Sequence, residues 1–235
     1  MIHQLIFAHP KPGMSEQEFQ DYWVDVHAVQ YASKIPQIRK YLIDTRIPFG
    51  PEPDDPLWSG IAEIWLENDE DQLASLQTPE FLEGARLDEP RWAAFWRTVV
   101  LDTDAHVLRA GDHPAPEDGV KIVALVKRTE GTTVEQFRER SLGEHAELML
   151  QVPGLRRYLQ CFTRDGAYAI GEALLDAAYL LSFDSLEDLE KAAASEEYAR
   201  AKDDLVTFVQ PRYLHHMAVK EHWIIGSEDS AREHG

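Results

Sequence analysis

Two stretches of the chain carry the same order of apolar and polar positions, about 118 residues apart. Each opens on a short apolar run, Ile2 to Ala8 and Val120 to Val126, whose length suits a strand rather than a helix. A helix follows in each, announced by a capping box of Ser15 with Glu18 in one copy and Thr133 with Gln136 in the other. Pro36 and Pro153 end that helix and start the turn into a second strand. Trp58 to Leu66 and Ala177 to Phe183 have the composition of a third strand. Glu70 to Leu76 and Leu186 to Ala194 begin a second helical stretch, and Thr98 to Leu108 and Arg212 to Ile225 suit a fourth strand. The order is β-α-β-β-α-β, the split β-α-β or ferredoxin-like unit of the α+β class.

The register between the copies is too long to arise by chance. Phe19 and Phe137, His27 and His145, and Trp65 and Phe183 stand 118 apart; Pro36 and Pro153, Tyr41 and Tyr158, and Phe81 and Tyr198 stand 117 apart, so one deletion intervenes. The seam Arg109 to Gly119 is rich in Pro and Gly and poor in apolar residues, as linkers are. The expected organisation is a unit over 1–109, a linker over 110–119, a second unit over 120–226 and a polar tail over 227–235. A single unit of this type covers one sheet face with helices and leaves the other bare, an aggregation hazard. Two fused copies remove it by closing open face on open face, as an intramolecular version of a dimeric α+β barrel.

Composition narrows the partners. In 235 residues there are 23 Lys and Arg against 42 Asp and Glu, a net charge of −19. Nucleic acid and anionic membrane both repel such a surface. The acidity is spread along the chain and reads as a solubility feature. No apolar run approaches the ~20 residues of a membrane span. The chain opens directly on a strand without a basic leader, and Cys161 is its single cysteine. The expectation is a cytoplasmic protein without an internal disulfide. Whether the full chain also forms a homodimer is left open.

The repeated residues resemble the EthD family of the dimeric α+β barrel superfamily. The pattern is Lys127-Arg128 after the first strand, Thr133 with Gln136-Phe137, His145-Ala146, Pro153 to Tyr158, and Phe183 to Leu189. The other copy shows Tyr22-Trp23, His27-Ala28 and Asp88-Glu89 before an aromatic cluster, and the last strands carry Glu221-His222 and Ala105-His106. Two departures stand out: Ala8-His9 replaces Lys127-Arg128, and Arg140-Ser141 replaces Tyr22-Trp23, so the two pockets are not expected to be equivalent. The resemblance implies a cofactor-free enzyme acting on a small, largely apolar or aromatic metabolite. Its chemistry would be of isomerase, cyclase, dehydratase, decarboxylase or internal monooxygenase type. The competing class is a non-catalytic small-molecule-binding or stress-response barrel.

Candidate chemistry centres on His27, one turn past Trp23 on the helix flank and able to titrate near neutrality. It is the expected general acid/base, with Trp23 shaping the pocket and Tyr41 and His106 orienting substrate. Asp88 (with Asp203 in the other copy) would fix a histidine tautomer. His145, Tyr158 and His222 are the further candidates for contact with substrate. Each has a bland counterpart: the histidines as braces of the fold, the tyrosines as core, the Asp residues as solvated helix surface. His215-His216 face opposite ways on a strand and cannot chelate one ion, and no cysteine cluster or His-x-x-x-His occurs, so zinc is not expected. No residue marks a haem ligand, no G-x-G-x-x-G or P-loop spacing supports a nucleotide, and Cys161 reads as a small core residue.

Overall fold

The structure is a computed structural model, and it describes residues 1–51, 53, 55–111, 116–169 and 171–226. The first copy contains β1 (Ile2–Ala8), α1 (Glu16–Tyr22), β2 (Ile38–Ile47), β3 (Gly60–Leu66), α2 (Asp69–Ser75), α3 (Arg86–Asp88) and β4 (Val99–Arg109). The second contains β5 (Val120–Val126), α4 (Val134–Arg140), α5 (Ala146–Met149), β6 (Arg157–Thr163), β7 (Ala177–Phe183), α6 (Leu186–Ala193), α7 (Glu196–Leu205) and β8 (His215–Ile225). Both copies are therefore β-α-β-β-α-β, as the pattern predicts. The hydrogen-bonded strand order is β1-β3-β2-β8-β5-β7-β6-β4, a closed barrel.

The chain divides into two compact units that differ from the repeat in one respect. The first unit is Met1–Asp102 with β8 from Val219 onward; the second begins at Thr103 and ends at Ala218 within β8. Each copy thus gives most of its last strand to the other unit. β4 pairs antiparallel with β6, Ala105 opposite Cys161 and His106 opposite Gln160. β8 lies beside β2, where Thr45 Oγ1 and His222 Nε2 are 2.9 Å apart. In the first unit β3 lies between β1 and β2, with Leu5 and Leu42 both opposite Glu63. Every residue of β3, β6 and β7 is buried, so both faces of these strands are covered.

Both capping boxes form: Ser15 Oγ accepts from Glu18 N–H, and Gln136 N–H donates to Thr133 Oγ1. Neither first helix continues as regular α-helix. From Trp23 to Ala28 and from Ser141 to His145 the turns widen to π-helix. Such bulges re-aim side chains and occur often at functional sites. Despite the wider turn, His27 keeps to the side of Phe19 and Trp23, since all three rings pack on Trp92. The same widening occurs at Glu80–Ala85, which links α2 to α3. The third strand begins at Gly60 rather than Trp58, and Arg212 belongs to a short 3₁₀ turn before β8. Part of the expected linker (112–115) and the whole expected tail (227–235) lie outside the described residues.

Trp23 lies flat over the backbone at Gly60. A Cβ there would stand 2.7 Å from the Asp44 carbonyl oxygen and 3.0 Å from the Trp23 ring. Since backbone cannot retreat like a flexible side chain, Gly60→Ala should lower stability by about 1–3 kcal/mol, seen as a lower urea midpoint with unchanged slope. The strand exchange makes a second prediction. A fragment of residues 1–112 lacks β8 and leaves β2 with a bare edge, so it should self-associate or aggregate. A monodisperse monomer of that fragment in light scattering would overturn the exchange.

Candidate functional site

The widened turn after α1 carries His27 onto α3. His27 Nδ1 lies 2.9 Å from Asp88 Oδ2, and both side chains are almost wholly buried. Tyr22 donates its hydroxyl to Asp88 Oδ1 at 2.8 Å, and Arg91 approaches the same oxygen at 3.4 Å. A carboxylate can only accept, so Nδ1 is the protonated nitrogen of a neutral ring, and Nε2 keeps its lone pair. Burial pulls the His27 pKa below its usual 6.5, with the Asp88 hydrogen bond and charge working the other way. Burial raises the Tyr22 hydroxyl as well, reinforced by Asp88. The ring packs against Trp92 at 4.7 Å, and Trp92 in turn against Trp23 at 4.9 Å and Phe19 at 5.3 Å.

Two groups at this site escaped the sequence reading. Trp92 is 3% exposed, and its Nε1–H is buried with no hydrogen-bond partner. A buried donor left without an acceptor is uncommon and calls for an explanation. Glu89, next to Asp88, has its carboxyl pushed up to about 7, first by burial, with Asp88 adding to it and Arg86 opposing. The Asp88-Glu89 doublet is visible in the sequence; that the fold buries Asp88 and half-buries Glu89 beside it is not.

The second unit repeats the pair in altered surroundings. His145 Nδ1 lies 3.0 Å from Asp204 Oδ2, and Arg140 also pairs with Asp204 in the place where Tyr22 meets Asp88. The residue is Asp204, one position past the expected Asp203, because α7 turns that side to His145. Where Trp23 stands in the first unit, Ser141 meets the Tyr179 hydroxyl at 2.5 Å. Where Trp92 stands, Phe208 packs on His145 at 5.4 Å and has no donor to offer. His145 has no exposed surface, and its Nε2 is buried without a hydrogen-bond partner.

Of the other candidates, Tyr41 lies against Trp23 beside the first pair, while His106 and His222 are gathered at neither pair. Tyr41 is 1% exposed and belongs to the apolar core of the first unit; burial drives its hydroxyl far up. Tyr158 is likewise core, accepting from Gln160 Nε2 at 2.6 Å. His106 is exposed on β4 in the second unit, edge-on to Phe162 at 5.4 Å, because β4 leaves the first unit after Asp102. His222 meets Thr45 on β8 and is held below its usual pKa by burial and then by Lys220. Elsewhere in the first unit, Asp44, Glu63 and Glu221 bring carboxylate oxygens within 4.8 Å of one another. Glu63 also meets His3 Nε2 at 2.6 Å.

Glu89 makes a pH prediction whose sign differs from that of the histidines. A carboxyl whose folded pKa is about 7 against 4.5 unfolded favours folding most below 4.5 and loses that contribution as pH rises through 7. Glu89→Gln should therefore raise the melting temperature by about 5 °C at pH 8 and have little effect near pH 4.5. His27 and His145 are both held below 6.5, so their contribution is complete above that pH and falls away below it. His145→Gln should flatten the loss of stability seen on acidification from pH 7 in thermal melts.

Solved structures share this fold at low sequence identity. An anthrone oxidase-like protein aligns with a TM-score of 0.66 at 12% identity, covering 95% of this chain and 92% of that one. A protein from Fusobacterium nucleatum described as a "putative monooxygenase" aligns at 0.63 with 8% identity over 94% and 91% of the two chains. One of the same description from Lactobacillus acidophilus aligns at 0.55 with 12% identity over 96% and 97%. Among curated proteins none matches the chain. The EthD domain pattern matches twice, over residues 11–95 and 129–212, spans that contain both capping boxes and both His–Asp pairs. The chain belongs to the EthD domain family and carries two copies of the domain.

Proposed function

We infer that the first unit is a cofactor-free small-molecule enzyme in which His27, oriented by Asp88, takes a proton from an aromatic or otherwise apolar substrate. The observation that carries this reading is the hydrogen bond from His27 Nδ1 to the buried Asp88 carboxylate, which leaves Nε2 as a base. A buried carboxylate that fixes the tautomer and steadies the imidazolium is the recurring arrangement for histidine base catalysis. Trp92 Nε1–H beside the ring offers a hydrogen bond to an oxygen of the substrate, where charge would build as the proton leaves.

Isomerase, cyclase, dehydratase and decarboxylase reactions share that proton step. Oxygenation is the favoured outcome, supported by the names of the fold neighbours, an anthrone oxidase-like protein and two monooxygenases by description. The substrate carbanion would then add dioxygen to give a hydroperoxide, and loss of the second hydrogen from the same carbon with cleavage of the O–O bond would leave a carbonyl in the product and release water, so that the substrate itself supplies all four electrons. The second reading is a binding barrel in which the histidines only brace helix one. It is favoured by the recurrence of the pair at His145, a ring with no exposed surface.

Anthrone serves as the first probe substrate, with oxygen uptake as the readout. His27→Gln should lower turnover roughly 10²–10⁴-fold with near-native folding, and Asp88→Asn should come close to it by releasing the wrong tautomer. His145→Gln should leave turnover within a few-fold. If His27→Gln lowers only the melting temperature and activity per folded molecule survives, the histidine is a brace.

A further inference from the structure

A cavity of about 430 Å³ opens in the first unit at the end of β1, within the size range of small-ligand sites. Its polar lining is His9, Lys11, Arg46 and Arg97 with Glu16 and Asp55; Pro10, Met14 and Trp96 supply apolar surface. Arg46 is neutralised by a two-pronged contact with Glu16, at 2.6 and 2.5 Å. Arg97 is not so provided. Its Nη1 is 3.4 Å from Asp55 Oδ2 and its Nη2 is 3.4 Å from the Pro56 carbonyl, both longer than a good hydrogen bond. Its 3.3 Å approach to His9 Nδ1 sets donor against donor, because that nitrogen already gives its proton to the Pro10 carbonyl at 2.8 Å. Asp55 itself is shared with His9 Nε2 at 3.0 Å, and its side chain is 73% exposed.

The second unit shows what is missing. Ser59 and Asp176 hold the same place: each donates its backbone N–H to the last carbonyl of the unit's first strand, Ala8 at 2.9 Å and Val126 at 2.8 Å. Pro10 and Arg128 likewise match, each forming the isolated bridge to the loop before the last strand. In the second unit Asp176 has no exposed side-chain surface. It pairs with Arg128 and with Lys127 at 3.1 Å, and it accepts from Tyr168 at 2.6 Å. Glu172 completes the network with Lys127 at 2.9 Å and Arg128 at 2.8 Å. Two cations meet two carboxylates there. In the first unit the buried carboxylate is replaced by Ser59, while Arg97, His9 and Lys11 line the space.

We propose that this cavity binds a small aromatic carboxylate, whose carboxylate takes the place that Asp176 fills in the second unit and pairs with Arg97 and His9. An arginine fork offers two parallel donors to a carboxylate, a stronger and more directional contact than Arg97 makes in the empty cavity. Trp96, 73% exposed on the cavity rim, supplies a face on which an attached planar ring stacks. The site stands apart from His27 and holds whether or not that residue is a base.

The test uses the full chain, with benzoate as probe and benzamide as its neutral counterpart, followed by calorimetry or ligand-observed NMR at pH 7 and low salt. Benzoate should bind at least roughly tenfold more tightly than benzamide, the discrimination expected of a charge-assisted pair. Arg97→Gln should weaken benzoate by roughly tenfold or more and leave benzamide nearly unchanged, while Arg138→Gln, outside the cavity, should alter neither. Ser59→Asp should abolish benzoate binding by filling the place internally, with circular dichroism unchanged. Inorganic phosphate should compete weakly, since it has no ring for Trp96. Equal binding of benzoate and benzamide, or full benzoate affinity in folded Arg97→Gln, overturns the proposal. So does inorganic phosphate binding as tightly as benzoate, or no saturable binding of benzoate at all.

Discussion

Burying a carboxylate is expensive unless donors surround it, and that constraint shapes the surroundings of Asp88 in the first unit and of Asp176 in the second. Asp88 sits with almost no exposed surface under the first helix. Tyr22, the last residue of α1, and His27, in the widened turn that follows, both reach it. The fastening of α1 to α3, the tautomer of His27, the direction of its Nε2 and the burial that lifts Glu89 all follow from one buried acid. Removing it would leave two donors facing an empty place, a larger loss than the bond itself.

Duplication lets the two units vary the same problem. At the helix pair, Asp204 takes Arg140 where Asp88 takes Tyr22, which substitutes a fixed positive charge for a titratable hydroxyl. Phe208 for Trp92 removes the indole donor beside the histidine, and His145 is wholly enclosed. That arrangement is stable and closed. The first unit keeps the histidine slightly open and places beside it a donor without an acceptor, whereas in the second the unpartnered atom is His145 Nε2 itself. At the strand ends the contrast runs the same way: a compact four-charge network in the second unit stands against a cavity with loosely held cations in the first.

Much of the fold was legible because it is written in local patterns that recur. The capping boxes at Ser15 and Thr133, the prolines after helix one and the apolar runs of β1 and β5 each carry their own physical cause, and two copies in register remove ambiguity. The strand exchange was not legible. Nothing in the sequence of Val99–Arg109 distinguishes pairing with a strand of its own copy from pairing with β6. The site was half legible. His27 and Asp88 could be named from their positions, but Asp204 was missed by one residue, and Tyr41 and Tyr158 proved to be core. Periodicity placed those tyrosines on strands without saying which strand face the helices cover. The π-turns lay beyond any α-helical arithmetic, since they are set by what the helix packs on rather than by propensity.

The divergence between the units also bears on how a protein of this kind can hold a reactive site at all. In the first unit the Trp92 indole N–H is buried without an acceptor and Arg97 makes only long contacts, while β3 has no exposed residue and a Cβ at Gly60 would stand 3.0 Å from the Trp23 ring. The hydrogen bond to Asp88 holds His27 in place, as the proton transfer proposed for it would require. In the second unit the cations Arg128, Lys127 and Arg140 are each engaged by buried or half-buried acids. Fusion of the copies permits this division, because a mutation that closes one site need not close the other. In a symmetric dimer of identical chains every gain in packing at one pocket would be repeated at its twin, and stability and reactivity could not be separated in this way.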